Sequence, residues 1–172
     1  MQVLFTAEQL KKRVLELGKQ ISQDYATTNP VLVCLLKGSV VFLADLMRAI
    51  PVPHTVEFLR VSSYGSKTVS SGRVEITDFD ADLTGRHVLV IEDIVDTGST
   101  LGYIREYLLG QKPASLRVCA LLDKPTARVS GVAIDYFGFT APDVFVVGYG
   151  MDWDERFRHL PYVGIPESQD SA

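Results

Sequence analysis

Three short, largely apolar runs constrain the fold of this chain more than any other feature: VLVCLL at residues 31–36, HVLVI at 87–91 and LRVCALL at 116–122. None approaches the length of a membrane span, and runs of this kind are typical of strands buried on both faces. Helices are predicted before and between them, over residues 7–25, 40–50 and 99–109. Buried strands alternating with helices predict an α/β doubly wound domain, in which a mostly parallel sheet is flanked by helices on both faces.

The segments around these elements complete the predicted order. Thr6 and Gln9 match a capping box, which predicts where the first helix begins. Residues 63–72 (SYGSKTVSSG) are polar and without period, which indicates a loop. Further strands are predicted over residues 55–62, 73–77 and 144–147.

The composition supports one globular domain, expected over residues 1–166 and followed by a disordered tail at 167–172. Apolar residues make up 47% of the chain and charged residues 22%, which excludes general disorder. With 17 basic and 21 acidic side chains the net charge is −4, which disfavours a nucleic-acid partner. We expect no membrane partner either. Cys34 and Cys119 lie inside apolar runs and are expected to be buried thiols, as in a soluble cytoplasmic protein.

Residues 88–100, VLVIEDIVDTGST, carry the strongest chemical signal. An apolar strand delivers Glu92 and Asp93 to its carboxyl end, and adjacent carboxylates favour a hydrated divalent cation shared with a polyhydroxylated substrate. Asp96 follows in a short turn. Thr97-Gly98-Ser99-Thr100 then opens a helix, where backbone amides and hydroxyls can hold a phosphate. The pattern fits a sugar phosphate better than a strand ending in solvated acids, and the acid spacing does not fit an aspartyl phosphatase.

This segment resembles the phosphoribosyl-diphosphate motif of the type I phosphoribosyltransferases. The resemblance extends along nearly the whole chain through LLKGSVVF, SSYG, LLDKPTAR and DVFVVGYGMDWDERFRHLPYVGI. Together these segments are similar to the hypoxanthine-guanine phosphoribosyltransferase family in its short bacterial form. The resemblance implies the type I phosphoribosyltransferase core with a small hood.

The resemblance also implies how the sugar and its phosphates are held. Glu92 and Asp93 match residues that face the ribose hydroxyls and a hydrated magnesium ion. Asp96 matches the catalytic residue near purine N7. The 5′-phosphate would lie against Thr97, Gly98, Ser99 and Thr100, and the diphosphate against Lys37, Gly38 and Arg158.

A second group of residues matches the purine site of the same family. Lys124 corresponds to the donor to the purine 6-oxo group, Phe145 to the aromatic ring that stacks on the base, and Val146 to a backbone contact. Asp152 corresponds to a ligand of a second magnesium ion, close to the purine edge. The pair Ser63-Tyr64 corresponds to the start of a loop that covers the site.

The resemblance implies a purine-salvage enzyme that uses Mg²⁺. It would transfer 5-phosphoribose from its diphosphate to hypoxanthine or guanine, releasing IMP or GMP. Two alternatives remain open at this point: an enzyme that prefers xanthine, and an RNA-binding regulator built on the same fold. Relatives of this kind are dimers or tetramers, so we expect a homo-oligomer.

Overall fold

The computed structural model describes residues 1–64 and 73–167. In chain order the elements are β1 (Gln2–Phe5), α1 (Ala7–Asp24), β2 (Val31–Leu36), α2 (Val40–Ala49), β3 (Thr55–Tyr64), β4 (Arg73–Asp78), β5 (His87–Val95), α3 (Ser99–Gly110), β6 (Ser115–Asp123), a 3₁₀ turn (Pro125–Ala127), β7 (Tyr136–Thr140) and β8 (Val163–Ile165).

Six of the strands form one twisted sheet in the order β4-β3-β2-β5-β6-β7. Strands β3, β2, β5, β6 and β7 are parallel, and β4 pairs antiparallel with β3 at the edge. The predicted α/β doubly wound fold is therefore confirmed. After β2 the chain adds β3 and β4 on one side of that strand, and it then returns to add β5 on the other side. The strand order therefore reverses between β2 and β5. The carboxyl ends of these two strands flank a crevice of the kind in which such sheets bind ligands.

Both faces of the central strands are buried, as the apolar runs predict. In β2, Leu32 and Cys34 contribute to the core beneath α1 and α2. Val31, Val33 and Leu35 contribute to the opposite core, which α3 covers. Because successive side chains of a strand point to opposite faces, a strand between two helical layers must be apolar at every position.

Helix α1 begins where its capping box predicts. The Thr6 hydroxyl accepts from the Gln9 amide at 3.3 Å, and the Gln9 side chain accepts from the Thr6 amide at 2.8 Å. The helix packs on α2 at Gly18, where an added Cβ would lie 2.5 Å from the Ala49 carbonyl oxygen. A glycine at this crossing therefore sets how closely α1 approaches the C-terminal end of α2.

Two strand predictions need correction. Residues 144–147 do not form a strand of the main sheet. The outer position is taken by β7, whose Tyr136–Thr140 segment pairs with β6, while Val147 makes an isolated bridge to Gly164. β3 also runs two residues beyond the predicted boundary, because the antiparallel ladder with β4 extends to Tyr64 opposite Arg73. Of the predicted loop, residues 65–72 lie outside the described residues.

A small antiparallel sheet of β1 and β8 packs beside the main domain, and its residues were not predicted as strands. The irregular segment between β7 and β8 crosses the carboxyl edge of the main sheet as the hood. The Met1 amino group ion-pairs with Glu167, the first residue of the predicted tail, and the rest of that tail lies outside the described residues. Within the described chain, no helix combines the length and apolar character that a membrane crossing requires.

The contact at Gly18 predicts a destabilising substitution. Gly18→Ala places a methyl group against the Ala49 backbone, and the overpacking should lower the free energy of unfolding by about 1–3 kcal/mol. Gly110→Ala is the matched control at the end of α3. An added Cβ there meets no atom within 4 Å, so stability should stay equal or rise slightly. Urea unfolding of both variants measures the difference, and equal stability of the two would contradict the close-packing argument.

Candidate active site

The candidate site lies where the loops after β2 and β5 meet. Two adjoining cavities open at this edge, of about 550 Å³ and 270 Å³. They share Leu36, Gly38, Val61 and Asp93 in their walls. The larger cavity brings together nine of the residues predicted from the sequence: Lys37, Gly38, Asp93, Asp96, Lys124, Phe145, Val146, Asp152 and Arg158.

The smaller cavity holds the acidic pair. Glu92 and Asp93 line it together with Thr100 of α3. Thr97 and Ser99 are exposed beside it, in the turn that opens the helix, and the Ser99 amide donates to the Thr97 hydroxyl at 3.3 Å. Gly98 has a φ of +81°, a left-handed conformation that glycine adopts without steric cost. The predicted acidic pair and phosphate turn are thus neighbours in space.

A buried serine organises the acidic pair. Ser39 is fully buried and donates from its hydroxyl to Glu92 Oε1 at 3.1 Å, while the same hydroxyl accepts from the Asp93 amide at 2.9 Å. The Glu92 side chain is mostly buried. Burial raises the pKa of Glu92 well above its usual value of 4.5, and the neighbouring Asp93 carboxylate raises it further.

The loop after β2 lies directly against Asp93. A Cβ on Gly38 would lie 1.8 Å from Asp93 Oδ2, so no larger residue fits without moving the carboxylate. The peptide bond between Leu36 and Lys37 is cis. The predicted diphosphate loop and the predicted ribose carboxylate therefore form one packed unit.

Asp96 and Lys124 form an ion pair inside the larger cavity. The Lys124 ammonium lies 3.3 Å from Asp96 Oδ2, and its side chain is 6% exposed whereas that of Asp96 is 51% exposed. A buried ammonium requires a charged or polar partner, and Asp96 supplies it. The residue predicted as catalytic and the residue predicted to read the purine are therefore in direct contact.

Arg128, which was not predicted as a site residue, stabilises the turn that carries Asp96. The Arg128 guanidinium donates to the Asp96 carbonyl oxygen at 3.1 Å and also ion-pairs with Asp123. The next two amides, of Val129 and Ser130, donate to the Thr97 carbonyl oxygen at 3.0 and 3.2 Å. A charge-assisted donor and two amides thus fix the backbone of this turn.

One wall of the larger cavity is aromatic. The Phe145 ring is 56% exposed and lines the cavity. Its edge packs on Trp153, with ring centroids 6.0 Å apart and planes at 72°. Val146, the next residue, is buried and also lines the cavity. An exposed, supported ring beside a buried ammonium can stack on a planar heterocycle that carries an acceptor.

The hood contributes a charged hairpin, residues 152–158. Asp152 accepts from the Glu155 amide at 2.9 Å and ion-pairs with Arg158 at 2.9 Å. Arg158 also donates to the Gly150 carbonyl oxygen at 2.9 Å. Asp154, Glu155 and Phe157 all have positive φ values, which non-glycine residues seldom adopt.

The donor set at this edge fits magnesium bound jointly with a substrate. No group of three or more acidic, histidine or cysteine side chains converges on one point within residues 1–64 and 73–167. Magnesium, however, is commonly held by one or two carboxylates together with substrate oxygens and water. Glu92 and Asp93 supply such a pair, and Asp152 supplies a separate carboxylate across the larger cavity.

Ser63 and Tyr64, predicted to begin a covering loop, instead form the end of β3 opposite Val74 and Arg73. The antiparallel ladder with β4 extends to these two residues, so they are strand rather than loop. The rest of the predicted cover lies outside the described residues.

Three residues of the site were missed by sequence reasoning. Ser39 stands in the quoted segment LLKGSVVF, but its contact with the acidic pair was not among the predictions. Glu155 and Arg128 also stood inside quoted segments, and neither carries a local pattern that sets it apart from a solvated charge. Only the serine, in a turn between a buried strand and a helix, offered a signal that could have been used.

The chain is similar to known proteins along nearly its whole length. Residues 3–154 match the phosphoribosyl transferase domain family. Over 169 residues the chain is 54% identical to a hypoxanthine-guanine phosphoribosyltransferase of Mycobacterium bovis, covering 94% of this chain and 84% of that protein. It is 48% identical over 166 residues to a hypoxanthine phosphoribosyltransferase of Salmonella typhimurium, covering 95% and 93%. The crystal structure of a hypoxanthine phosphoribosyltransferase from Staphylococcus aureus has a TM-score of 0.94 at 40% identity, covering 100% and 94%.

The raised pKa of Glu92 predicts a pH-dependent gain of stability on neutralising it. A carboxyl whose pKa is higher in the folded than in the unfolded protein favours folding at low pH, and this contribution is lost as the pH rises through the folded pKa. Glu92→Gln should therefore raise the melting temperature of the ligand-free protein at neutral pH and have little effect below pH 4.5, the ordinary pKa of the group. Thermal unfolding from pH 4 to pH 8 measures this.

Glu106→Gln is the control for that measurement, since Glu106 is exposed on α3. It removes the same charge without relieving burial, so its effect on the melting temperature should be small at every pH. A lower melting temperature of Glu92→Gln at neutral pH would contradict the assignment of Glu92 as an unfavourably buried carboxylate.

Proposed function

This chain belongs to the phosphoribosyl transferase family, and from that premise we propose that it transfers 5-phosphoribose from 5-phosphoribosyl 1-diphosphate to N9 of hypoxanthine or guanine. The products are IMP or GMP and diphosphate. One observation carries this choice of substrate: the buried Lys124 ammonium, the Asp96 carboxylate and the exposed Phe145 ring line the same cavity. That cavity also contains the cations suited to a diphosphate, Lys37 and Arg158.

The purine base is recognised by the Lys124 ammonium, which donates hydrogen bonds and cannot accept them. The Phe145 ring offers a stacking surface, and the Lys124 ammonium donates to the 6-oxo oxygen of hypoxanthine or guanine. Adenine presents an amino group at the same position, which would leave the nearly buried ammonium facing another donor. A site built to donate a hydrogen bond rejects an analogue that lacks the acceptor far more strongly than an apolar pocket would.

The reaction breaks the bond between the anomeric carbon and the diphosphate oxygen and forms the bond to purine N9. Positive charge develops on the sugar as the diphosphate departs with the bonding electrons. Glu92 and Asp93, which line the smaller cavity, hold the ribose hydroxyls in this proposal and stabilise that charge. Asp96 takes the proton from purine N7, which makes N9 the better nucleophile.

The departing group is held by Lys37, the backbone beside Gly38, and Arg158. Glu92, Asp93 and Asp152 are the carboxylates that would hold magnesium. When bound, the ion neutralises charge on the departing diphosphate. In this proposal the 5′-phosphate binds the turn from Thr97 to Thr100 at the start of α3, where backbone amides and hydroxyls can donate to an anion.

A spectrophotometric assay tests this proposal. Purified protein is mixed with magnesium, 5-phosphoribosyl 1-diphosphate and hypoxanthine, guanine, xanthine or adenine in turn. We expect IMP and GMP to form and adenine to be inert. Efficient use of xanthine would shift the assignment to an enzyme that prefers xanthine. Equal turnover of adenine would contradict the role of Lys124, and no turnover of any base would contradict the proposed function.

Replacing the Asp96 carboxylate tests its role in proton transfer. Asp96→Asn retains the size of the side chain, so the affinity for 5-phosphoribosyl diphosphate should stay nearly unchanged. Turnover should fall by roughly 10²–10⁴-fold, the usual effect of losing a positioned acid or base. Asp80→Asn, at an exposed position, is the control and should behave as wild type. Single-turnover rates measure the chemical step, and a wild-type rate in Asp96→Asn would remove Asp96 from it.

A further inference from the structure

Lys37 and Arg158, the two cations proposed to bind the diphosphate, both contact the carboxylate of Glu155. Glu155 Oε1 lies 2.9 Å from the Lys37 ammonium, and Glu155 Oε2 lies 3.4 Å from a guanidinium nitrogen of Arg158. Each carboxylate oxygen therefore faces a different cation. All three residues line the larger cavity, so the contact lies within the site and not on a remote surface.

The backbone of the hood hairpin places Glu155 at this position. Its amide donates to Asp152 Oδ2 at 2.9 Å, and its φ is +62°. Asp154 and Phe157 on either side are also left-handed, with φ values of +53° and +75°. A hairpin built from conformations that non-glycine residues seldom adopt directs this carboxylate toward Lys37 and Arg158.

We propose that Glu155 is a built-in counterion, which occupies the anion positions of the diphosphate group in the free enzyme and is displaced when the diphosphate binds. This inference rests on the proposed function, because it takes Lys37 and Arg158 as ligands of the diphosphate. Glu155 then sets how tightly diphosphate is held. It does so by competition, since the same two cations serve the carboxylate or the ligand.

The exposure of the pair fits a contact that a ligand can break. The side chains of Lys37 and Glu155 are 60% and 67% exposed, so water screens their attraction. The Asp152–Arg158 pair is less exposed, at 30% and 26%, and holds the hairpin together. Lys37 lowers the pKa of Glu155 below its usual value, so the carboxylate is charged at neutral pH. Because a diphosphate carries more negative charge than one carboxylate, it displaces Glu155 from Lys37 and Arg158 when it binds.

The consequence for the reaction concerns its last step. After transfer the diphosphate is a product, and tight binding would retain it. Return of the Glu155 carboxylate to Lys37 and Arg158 competes with the product for the same donors. The hairpin therefore favours release without weakening the contacts that the diphosphate makes while it is bound.

Calorimetric titration with magnesium diphosphate tests the inference on the full-length protein. Glu155→Gln should bind magnesium diphosphate about two- to fivefold more tightly than wild type, the range expected when a solvent-screened ion pair no longer competes. Asp154→Asn is the matched control. It removes one negative charge from the adjacent, exposed position, for which the described residues show no hydrogen bond or ion pair, and its Kd should stay close to that of wild type.

A second arm assigns the gain to the contact with Lys37. In a Lys37→Met background, Glu155→Gln should change the Kd much less than in wild type, because one of the two competing contacts is already absent. Structural damage to the hairpin would weaken binding, so a gain of affinity separates competition from a supporting role.

Three results would overturn the inference while leaving the proposed function intact: an unchanged Kd in Glu155→Gln, a weaker one, or an equal gain in Asp154→Asn. Failure of wild type to bind magnesium diphosphate would instead contradict the proposed function, and the inference with it. The wild-type titration therefore separates the two.

Discussion

The buried carboxylate of Glu92 beside Asp93 is the constraint on which the rest of the site depends. Two adjacent acids at the end of a central strand repel each other and lose hydration, and burial raises the pKa of Glu92. Ser39 from the neighbouring loop donates a hydrogen bond to the Glu92 carboxylate and accepts one from the Asp93 amide. Gly38 lets the same loop approach the Asp93 carboxylate. Polar contacts between the segments that follow β2 and β5 thus hold these acids beside the two cavities, where a cationic or hydroxylated ligand can reach them.

The other charges of the site satisfy one another in the free protein. Lys124 pairs with Asp96, Lys37 with Glu155, and Arg158 with Asp152 and Glu155. The first two pairs join residues that lie far apart in the chain, whereas Arg158 pairs with two acids of its own hairpin. Binding of a purine or a diphosphate therefore replaces a protein carboxylate with a ligand group as the partner of each cation. Because each cation already has a partner in the free protein, the net gain in binding free energy from each new contact is smaller.

The elements that followed from the sequence were those with a repeating physical pattern. The continuous apolar runs predicted β2, β5 and β6 because a strand between two helical layers has no solvent-facing position. The capping box placed the start of α1 to the residue. The prediction for 144–147 failed because this equally apolar run belongs to the irregular hood, where Val146 and Val147 are buried without a place in the main sheet. β7 was not predicted because its sequence, YFGFT, is apolar at the exposed Phe137 as well as at buried positions.

The sequence by itself determined the central strands of the sheet, the acidic strand end with its phosphate turn, and, through resemblance, nine of the residues that line the larger cavity. Those features depend on local pattern or on a motif of adjacent residues. Only the tertiary structure decided that Ser39 holds the acids, that Arg128 fixes the Asp96 turn and that Glu155 faces Lys37. These contacts join residues 32 to 118 positions apart. No spacing along the chain encodes them, because they exist only once the sheet and the hood have brought distant segments to the same edge.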